Sequence, residues 1–303
     1  MNMKKLLIIG SSGLVGSKFA SSILSNRKVA PNEIELDITD EKIVNDFFEM
    51  EKDNFDAVVN FAGFTNVDVA EKERGDENGF CYRLNVDGPE NLAKACKKYN
   101  KFLIQISTDF VFNGTSDYPG PYSERSLTPD KLTEKMGWYG WTKNRSEFVV
   151  RNSGCKYAIV RIAYPFYGEN CDLKLDYAKS YLKLFDEGKL FPIFTDQILT
   201  PLLIDDLTPA LEKIIEIKQT GIYHVVSSDT TTPFEFVSYL LEKARGVTNV
   251  VQKGSMEEFL KVEGRTPRSR LGGLKTEITQ EKLGIKFKTW REMVDEFIKR
   301  SKV

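Results

Sequence analysis

Short, uninterrupted runs of apolar residues recur along the first half of the chain. Each run ends at a polar or small residue, and the runs cover residues 6–9, 57–60, 102–106 and 158–161. Helical patterns lie between them, over residues 14–24, 41–50, 90–99 and 142–151. A strand that is apolar on both faces belongs in the interior of a parallel sheet. The alternation of strand and helix therefore predicts an α/β fold with a Rossmann-like, doubly wound parallel sheet.

The pattern changes after residue 165. Residues 169–203 are rich in aromatic and turn-forming residues, and helical patterns follow at 204–217 and 233–244, with a strand pattern at 223–226. Residues 261–273 carry four glycines or prolines and four basic residues, which predicts a long loop. We therefore expect one domain over residues 1–165, to which residues 204–226 return. A smaller C-terminal α/β domain, mainly for the substrate, would cover 166–303.

A glycine-rich turn follows the first apolar run. Gly10, Gly13 and Gly16 stand at three-residue intervals, at the start of an amphipathic helix pattern. Such glycines let the backbone turn tightly and approach a pyrophosphate, which the amide groups and the dipole of the helix start then stabilise. A tight turn without a ligand is the alternative, but the position between strand and helix favours a dinucleotide site. The residues predicted for this site are Gly10, Ser12, Gly13, Leu14, Val15 and Gly16.

Asp37 stands 21 residues beyond Gly16, where a carboxylate often contacts the adenosine half of a dinucleotide. A helix cap is the alternative for Asp37, because the helix pattern at 41–50 begins nearby. We assign Asp37, with Ile38, to the cofactor and Asp40 to the cap. The second strand is hard to place, and Arg27 and Lys28 precede it. The choice between NAD and NADP therefore stays open, with NADPH favoured.

A tyrosine and a lysine four residues apart, Tyr139 and Lys143, share one face of a predicted helix. An adjacent ammonium favours the phenolate and so lowers the pKa of a tyrosine, which suits proton exchange with an alcohol or ketone near neutral pH. Tyr239 and Lys243 have the same spacing. There we expect an ordinary amphipathic helix, since no third partner is evident.

The first pair does have such a partner. Ser107, Thr108 and Asp109 follow the strand pattern at 102–106, so their side chains would emerge at the carboxyl edge of the sheet. That edge is where Tyr139 and a nicotinamide would meet. The sequence thus predicts a proton-transfer site, and a plain hydrogen-bonded turn at Thr108 and Asp109 is the alternative.

Composition narrows the function classes. The 43 Lys and Arg residues balance 44 Asp and Glu residues, which leaves no basic excess for a nucleic-acid polymer. His224 is the single histidine, which excludes multi-histidine metal sites, and we expect no metal.

No apolar run approaches the roughly 18 residues of a membrane span. Cys81, Cys96, Cys155 and Cys171 form no CxxC pair and indicate buried thiols, so we expect a cytoplasmic protein that does not bind membranes.

Nine segments in order resemble those of one enzyme family. They are GSSGLVG at Gly10, NFAGFTNVDVAE at Asn60, LNVDGPENLA at Leu84, STDFVFNG at Ser107, YGWTKNRSE at Tyr139, RIAYPFYG at Arg161, TDQILTP at Thr195, GIYHVV at Gly221 and LGIKFKTWRE at Leu283. Together they resemble the extended short-chain dehydrogenase/reductases, and among these the dTDP-4-dehydrorhamnose reductase family. The resemblance implies NAD(P)H-dependent reduction of a nucleotide-linked 4-keto-6-deoxysugar, with a nucleotide-diphosphate sugar as the substrate partner.

The resemblance also implies roles for individual residues. Thr108 would hydrogen-bond the substrate carbonyl, Tyr139 would protonate the nascent alkoxide, and Lys143 would hold the nicotinamide ribose while tuning Tyr139. Further cofactor contacts would come from Asn60, Phe61, Ala62, Gly63, Thr65, Ile106, Ser107 and Tyr164. Sugar contacts would come from Val67, Asp68, Thr108, Asp109, Phe110 and Gln197. Arg265, Arg268 and Arg270 would anchor the diphosphate, because planar guanidinium matches phosphate; a solvated basic loop is the alternative.

Three aromatic residues differ from those that are common at the same positions in the family. Phe110 and Phe64 replace common tyrosines and Tyr164 replaces a common tryptophan, so the resemblance leaves the sugar open. Phe110 also stands where related dehydratases have a glutamate acid, which argues against dehydration. Two alternatives remain: a nucleotide-sugar epimerase, and a dinucleotide-binding regulatory subunit resembling that of methionine adenosyltransferase. Homo-oligomerisation also remains open.

Overall fold

The computed structural model of the protein describes residues 5–168 and 175–301. Its strands are β1 Leu6–Ile9, β2 Lys28–Val29, β3 Ala57–Asn60, β4 Phe102–Thr108, β5 Lys156–Ile162, β6 Pro165–Phe166, β7 Ile193–Phe194, β8 Leu202–Leu203, β9 Gly221–His224 and β10 Lys253–Gly254. Its helices are α1 Leu14–Ser22, α2 Glu41–Glu51, α3 Val67–Glu71, α4 Phe80–Tyr82, α5 Gly88–Lys98, α6 Trp138–Asn152, α7 Tyr177–Asp186, α8 Leu207–Ile217, α9 Pro233–Arg245, α10 Met256–Lys261, α11 Glu277–Leu283 and α12 Trp290–Ser301.

The main sheet contains six parallel strands in the order β2-β1-β3-β4-β5-β9. Alternate side chains of each strand enter two separate apolar clusters, with Leu6 and Ile8 in one cluster and Leu7 and Ile9 in the other. The first cluster is closed by α1 and α8, and the second by α2 and α5. Because both faces are covered, the strands need apolar residues at every position. The prediction of a doubly wound parallel sheet is confirmed.

Several predicted boundaries were wrong by a few residues. β4 continues through Ser107 and Thr108, because both residues pair in register with β5. The strand predicted at 223–226 lies at Gly221–His224, where it pairs with Ala158–Arg161 of β5. The helix predicted at 142–151 already begins at Trp138, and the helix predicted at 14–24 ends at Ser22. Hydrogen-bond register, which the apolar pattern does not contain, sets these ends.

The later part of the chain packs around a third apolar cluster formed mainly by α7, α9 and α12. Thr232 and Glu235 form a reciprocal capping box at the start of α9, with Pro233 in its first turn. β9 and α8 belong instead to the main sheet and its flanking layer. The boundary between a dinucleotide-binding domain and a substrate-binding domain at residue 165 stays a prediction.

Three of the four cysteines lie within the described residues. Cys81, Cys96 and Cys155 are buried free thiols, as expected, whereas Cys171 lies outside the described residues. Within residues 5–168 and 175–301, no helix combines the length and the apolar character that a bilayer crossing needs.

Candidate active site

A cleft of about 490 Å³ opens at the carboxyl edge of the main sheet. It lies where β1 ends between β2 and β3, which is the switch point at which the connections of a doubly wound sheet diverge and ligands bind. Half of the residues predicted for the cofactor line this cleft: Gly10, Ser12, Gly13, Asp37, Ile38, Phe61, Ala62 and Gly63. The cleft therefore has the position and the glycine-rich wall that a dinucleotide requires.

Two glycines shape the turn at the cleft. Gly10 has a φ of 73°, and a Cβ there would come within 2.8 Å of the carbonyl carbon of Phe61, so the turn requires glycine. A Cβ on Gly16 would collide with the carbonyl oxygen of Gly10. Gly16 thus permits close packing of α1 on β1 and does not line the cleft. Val15 packs against the apolar core, and the assignment of Leu14, Val15 and Gly16 to the cofactor stays a prediction.

This geometry separates the roles of two glycines. We expect Gly16→Ala to destabilise the protein by about 1–3 kcal/mol, because the added methyl group meets rigid backbone. Gly13→Ala should cost at most about 1 kcal/mol, since its Cβ would lie 3.5 Å from the nearest atom. Gly13→Ala should nevertheless weaken dinucleotide binding, because its methyl group would enter the cleft. Urea unfolding and equilibrium binding measure the two effects; equal losses of stability would contradict this assignment.

The three side chains predicted for proton transfer converge beyond the cleft. The side chain of Thr108, at the end of β4, lies beside the Tyr139 hydroxyl, which comes from the first turn of α6. Lys143, one turn further along α6, donates from Nζ to the carbonyl oxygen of Ile106 at 2.8 Å. A Cβ on Gly63 would lie 3.9 Å from this Nζ, so the ammonium borders the cleft. Strand register and helical spacing together bring the trio to one place.

Burial dominates the electrostatics of the pair on α6. Burial lowers the pKa of Lys143 to about 8, although the nearby Glu147 opposes this shift. Burial raises the pKa of Tyr139 above its ordinary value, and the hydrogen bond from Thr108 only partly offsets it. The expectation that Lys143 lowers the tyrosine pKa is therefore wrong for the protein without a ligand. Tyr139 is held as a neutral phenol, the form that can donate a proton.

Asp109 continues the polar group at the end of β4. Its carboxyl is buried, and Oδ1 accepts a hydrogen bond from the Thr108 hydroxyl at 3.1 Å. Burial raises the pKa of Asp109 to about 7, although the Thr108 hydrogen bond opposes the rise. Thr108 also accepts from the backbone N–H of Phe110 at 3.3 Å, which fixes its side chain. The hydrogen-bonded turn at Thr108 and Asp109 is thus present, and the proton-transfer site stays a prediction.

Ser107 does not face the cleft. Its hydroxyl donates to Glu147 Oε1 at 2.6 Å, and the same carboxylate pairs with Arg161 through two bonds of 2.8 and 2.6 Å. Alternation along β4 turns this side chain toward α6, and the assignment of Ser107 to the cofactor stays a prediction. The side chain of Ile106 likewise packs in the apolar core, and only its carbonyl meets Lys143.

The single histidine completes this buried network. His224 Nδ1 lies 2.8 Å from the carbonyl oxygen of Lys275 and Nε2 lies 3.2 Å from Arg161 Nη1. Since the carbonyl needs a donor and the guanidinium needs an acceptor, these partners assign the neutral Nδ1–H tautomer. Burial and the Arg161 charge lower the pKa of His224 well below its usual range. Among the residues described, no cluster of His, Cys, Asp or Glu has the makings of a metal site.

Asn85 is a site residue that sequence reasoning missed. It lies in a π-helical turn, Arg83–Asp87, that joins α4 to α5. Its amide accepts from the Phe64 N–H at 2.8 Å and donates to the Phe64 carbonyl and to Thr142 Oγ1. Asn85 thereby ties the loop after β3 to the helix that carries Tyr139 and Lys143. A buried asparagine in a helical run is the available signal, and π-turns often mark functional sites.

An aromatic cluster borders the proton-transfer trio on the other side. The Phe110 ring lies 5.7 Å from the Tyr139 ring and 6.2 Å from that of Tyr164. Tyr164 has a φ of 44°, which is rare for a non-glycine residue, and its hydroxyl accepts from Gln197 Nε2 at 3.1 Å. Tyr177 packs on Tyr164 at 5.1 Å. Tyr164 therefore lies with the predicted sugar residues Phe110 and Gln197, and its assignment to the cofactor stays a prediction.

A second cleft, of about 470 Å³, lies between α3 and the loop that follows α10. Arg265 and Arg268 line it together with Asp68, but Arg268 already binds both oxygens of Asp68, at 2.8 and 2.9 Å. Arg270 lies 3.6 Å from Glu257 and 4.0 Å from Asp196. Two of the three arginines predicted to anchor a diphosphate, Arg268 and Arg270, thus lie against carboxylates, whereas Arg265 is placed above the ring of Phe259.

Three further residues that the sequence analysis names, Val67, Thr65 and Tyr239, lie in different surroundings. Val67, at the start of α3, packs in the cluster that contains Tyr139 and Phe110, whereas Thr65 is exposed in the loop before α3. Tyr239 donates to Asp295 Oδ1 at 2.9 Å and packs between α9 and α12. No Thr partner meets this second tyrosine among its described contacts, which agrees with an ordinary helix.

Comparison with known proteins gives one consistent family. The family model described as the RmlD substrate binding domain matches residues 3–303. The dTDP-4-dehydrorhamnose reductase of Mycolicibacterium smegmatis is 31% identical over 77% of this chain and 67% of its own length. The spore coat polysaccharide biosynthesis protein SpsK of Bacillus subtilis is 28% identical over 98% and 97%. The crystal structure of the Bacillus anthracis dTDP-4-dehydrorhamnose reductase in complex with NADP superposes with a TM-score of 0.82, at 26% identity over 97% and 98%.

Proposed function

Because this chain belongs to the RmlD substrate binding domain family, we propose that it reduces a nucleotide-linked 4-keto-6-deoxysugar with NADH or NADPH. It is an oxidoreductase of nucleotide-sugar metabolism, similar to the dTDP-4-dehydrorhamnose reductases. The observation that carries the proposal is the convergence of Thr108, Tyr139 and Lys143 at the end of a glycine-walled cleft. We place the reaction in the cytoplasm, in keeping with the buried free thiols.

The residues present fit a dinucleotide. Gly10 and Gly13 keep the wall of the cleft free of side chains, and the start of α1 supplies amide groups for a pyrophosphate. Asp37 and Ile38 line the end of the cleft that would take the adenosine, and Gly63 leads toward Lys143. When bound, the reduced nicotinamide supplies the hydride that converts the 4-keto carbon to an alcohol carbon.

Side chains of this protein donate the proton and orient the groups that react. Tyr139 holds a phenol proton at Oη and gives it to the oxygen of the reduced carbonyl. Thr108, fixed by Asp109 and by the Phe110 N–H, orients that oxygen through its hydroxyl. Lys143, held by the Ile106 carbonyl, offers its remaining protons to the ribose that borders Gly63. The rings of Phe110 and Tyr164 close the site against water.

A turnover assay tests the proposal. The protein is mixed with dTDP-4-keto-6-deoxy sugars and NADH or NADPH, and oxidation of the reductant is followed together with the sugar product. We expect one reductant consumed per sugar reduced. An epimerase would interconvert sugars without net consumption of reductant. A regulatory subunit would bind the dinucleotide without turnover, and either of these results would overturn the proposed reduction.

The charge of Lys143 predicts a pH dependence. Since its pKa is lowered to about 8, the ammonium is present below that pH and is lost as the pH rises through it. We expect kcat/KM to fall above pH 8, by up to about tenfold per pH unit, because the neutral amine binds the ribose less well. Pre-steady-state and steady-state rates measured from pH 6 to pH 10 give the profile.

A matched variant separates Lys143 from its neighbours. Lys143→Arg keeps a positive charge throughout this range, so the decline above pH 8 should disappear even where the absolute rate is lower. Asp109→Asn removes the other buried group that titrates nearby, with a pKa raised by burial to about 7, and should leave the decline in place. A decline that persists in Lys143→Arg would assign the titration to another group.

A further inference from the structure

The segment that borders the adenosine end of the cleft is strongly acidic. Residues 31–41 read PNEIELDITDE, with five carboxylates and no lysine or arginine. The carboxylates are Glu33, Glu35, Asp37, Asp40 and Glu41. Glu33 and Asp37 line the cleft itself, beside Asn32 and Thr39. Any group bound at this end of the cleft therefore meets a negative potential.

The acidic segment is held in place by hydrogen bonds. Asn91, buried on α5, donates to the carbonyl oxygen of Ile38 at 3.0 Å. Asp37 Oδ1 accepts from both the N–H and the hydroxyl of Thr39, at 2.9 and 2.8 Å. Asn32 Oδ1 accepts from the N–H groups of Ile34 and Glu35. These bonds fix the backbone of the segment and hold the Asp37 carboxylate beside the cleft.

Among the described residues, the cations near this segment do not line the cleft, and Lys94 pairs with its last carboxylate, Glu41, at 3.8 Å. Within the described residues that line the cleft there is neither lysine nor arginine. Lys28 pairs in register with Leu6, and its Nζ donates to the carbonyl oxygen of Ala20. Arg27 precedes Lys28 and so lies at the amino end of the strands, roughly 16 Å from Gly10 along β1. Lys42, at the start of α2, pairs with Asp46 at 2.6 Å.

We propose that this chain selects NADH over NADPH, an inference that rests on the proposed function. NADPH carries an additional phosphate on the adenosine ribose, with a charge near −2 at neutral pH. Among carboxylates this phosphate is repelled, and none of the described residues that line the cleft carries a guanidinium or ammonium to bind it. The free ribose hydroxyl of NADH can instead donate to a carboxylate. The sequence leaves the choice between NAD and NADP open, with NADPH favoured, whereas this proposal favours NADH.

Binding to fragments tests the proposal without turnover. Isothermal titration compares ADP-ribose with its 2′-phosphorylated form, and then NADH with NADPH. We expect the unphosphorylated member of each pair to bind about tenfold more tightly or better at low salt. The ratio should shrink as salt rises from about 20 to about 500 mM, because ions screen exposed charges.

Charge-neutralising variants locate the effect. Glu33→Gln and Asp37→Asn should each lower the preference for the unphosphorylated ligand several-fold, and Glu33→Arg should lower it further. Glu212→Gln removes one carboxylate from the exposed face of α8 and is the matched control, for which the preference should not change.

The outcomes distinguish two failures. Equal or tighter binding of the 2′-phosphorylated ligands, or a ratio that Glu33→Gln and Asp37→Asn leave unchanged, would overturn the preference and leave the proposed reduction intact. If neither NADH nor NADPH binds, the proposed reduction itself fails, and the preference fails with it.

Discussion

Tyr139→Phe is expected to lower kcat about 10²- to 10⁴-fold while leaving the Kd of the dinucleotide nearly unchanged. The substitution removes one oxygen from a ring that packs edge-on against Phe110, so the packing of the site survives. What is lost is the phenol proton, which burial keeps in place and Thr108 orients. Turnover with a 4-keto sugar and equilibrium binding of the dinucleotide measure the two quantities separately.

The chain contains its own control for this experiment. Tyr239 and Lys243 repeat the spacing of Tyr139 and Lys143, but the Tyr239 hydroxyl donates to Asp295 between two helices. Tyr239→Phe should therefore leave kcat unchanged. If Tyr239→Phe were the damaging variant, or if Tyr139→Phe weakened dinucleotide binding as strongly as turnover, Tyr139 would not be the proton donor.

Glu147→Ala is expected to cost about 3–5 kcal/mol of unfolding free energy. Glu147 and Arg161 are both 1% exposed, so removal of the carboxylate leaves a buried guanidinium without its counter-ion. The same change also leaves the Ser107 hydroxyl without an acceptor. Urea unfolding monitored by the intrinsic fluorescence of the three tryptophans gives the free energy.

Two further variants keep this result interpretable. The double variant Glu147→Leu with Arg161→Met removes both charges and should recover much of the loss, because a well-packed apolar pair can replace a buried ion pair. Glu258→Ala breaks an exposed pair with Lys261 and should leave stability unchanged within error. A loss below about 1 kcal/mol for Glu147→Ala would show that the guanidinium finds water or another partner.

Much of the fold follows from local pattern because this sheet is covered on both sides. β3 occupies the predicted residues 57–60, since a four-residue apolar run has no other stable position in such a sheet. Asp40 caps α2 through the N–H groups of Lys42 and Ile43, as its residue type indicates. β2, by contrast, consists of Lys28 and Val29 on the sheet edge, where apolar side chains are not required and the pattern carries no signal.

In the candidate site, too, some residues could be predicted from the sequence and others could not. Thr108, Tyr139 and Lys143 could be found because each follows from a rule of strand ends or helix faces. The Asp68–Arg268 pair could not, since its members are 200 residues apart and pair only through the tertiary fold. The pKa of Tyr139 was predicted with the wrong sign for a related reason, because burial depends on the whole environment while the sequence shows only the adjacent lysine.

The late return of β9 to the sheet has a consequence for dissecting the molecule. A fragment that stops at residue 165 would keep β1 to β5, yet it would expose the long edge of β5 as a template for intermolecular pairing. It would also deprive Arg161 of the imidazole of His224. The strand that completes the main sheet comes after residues 166–220 in the chain. A single cut at residue 165 therefore cannot yield a fragment that contains the whole sheet.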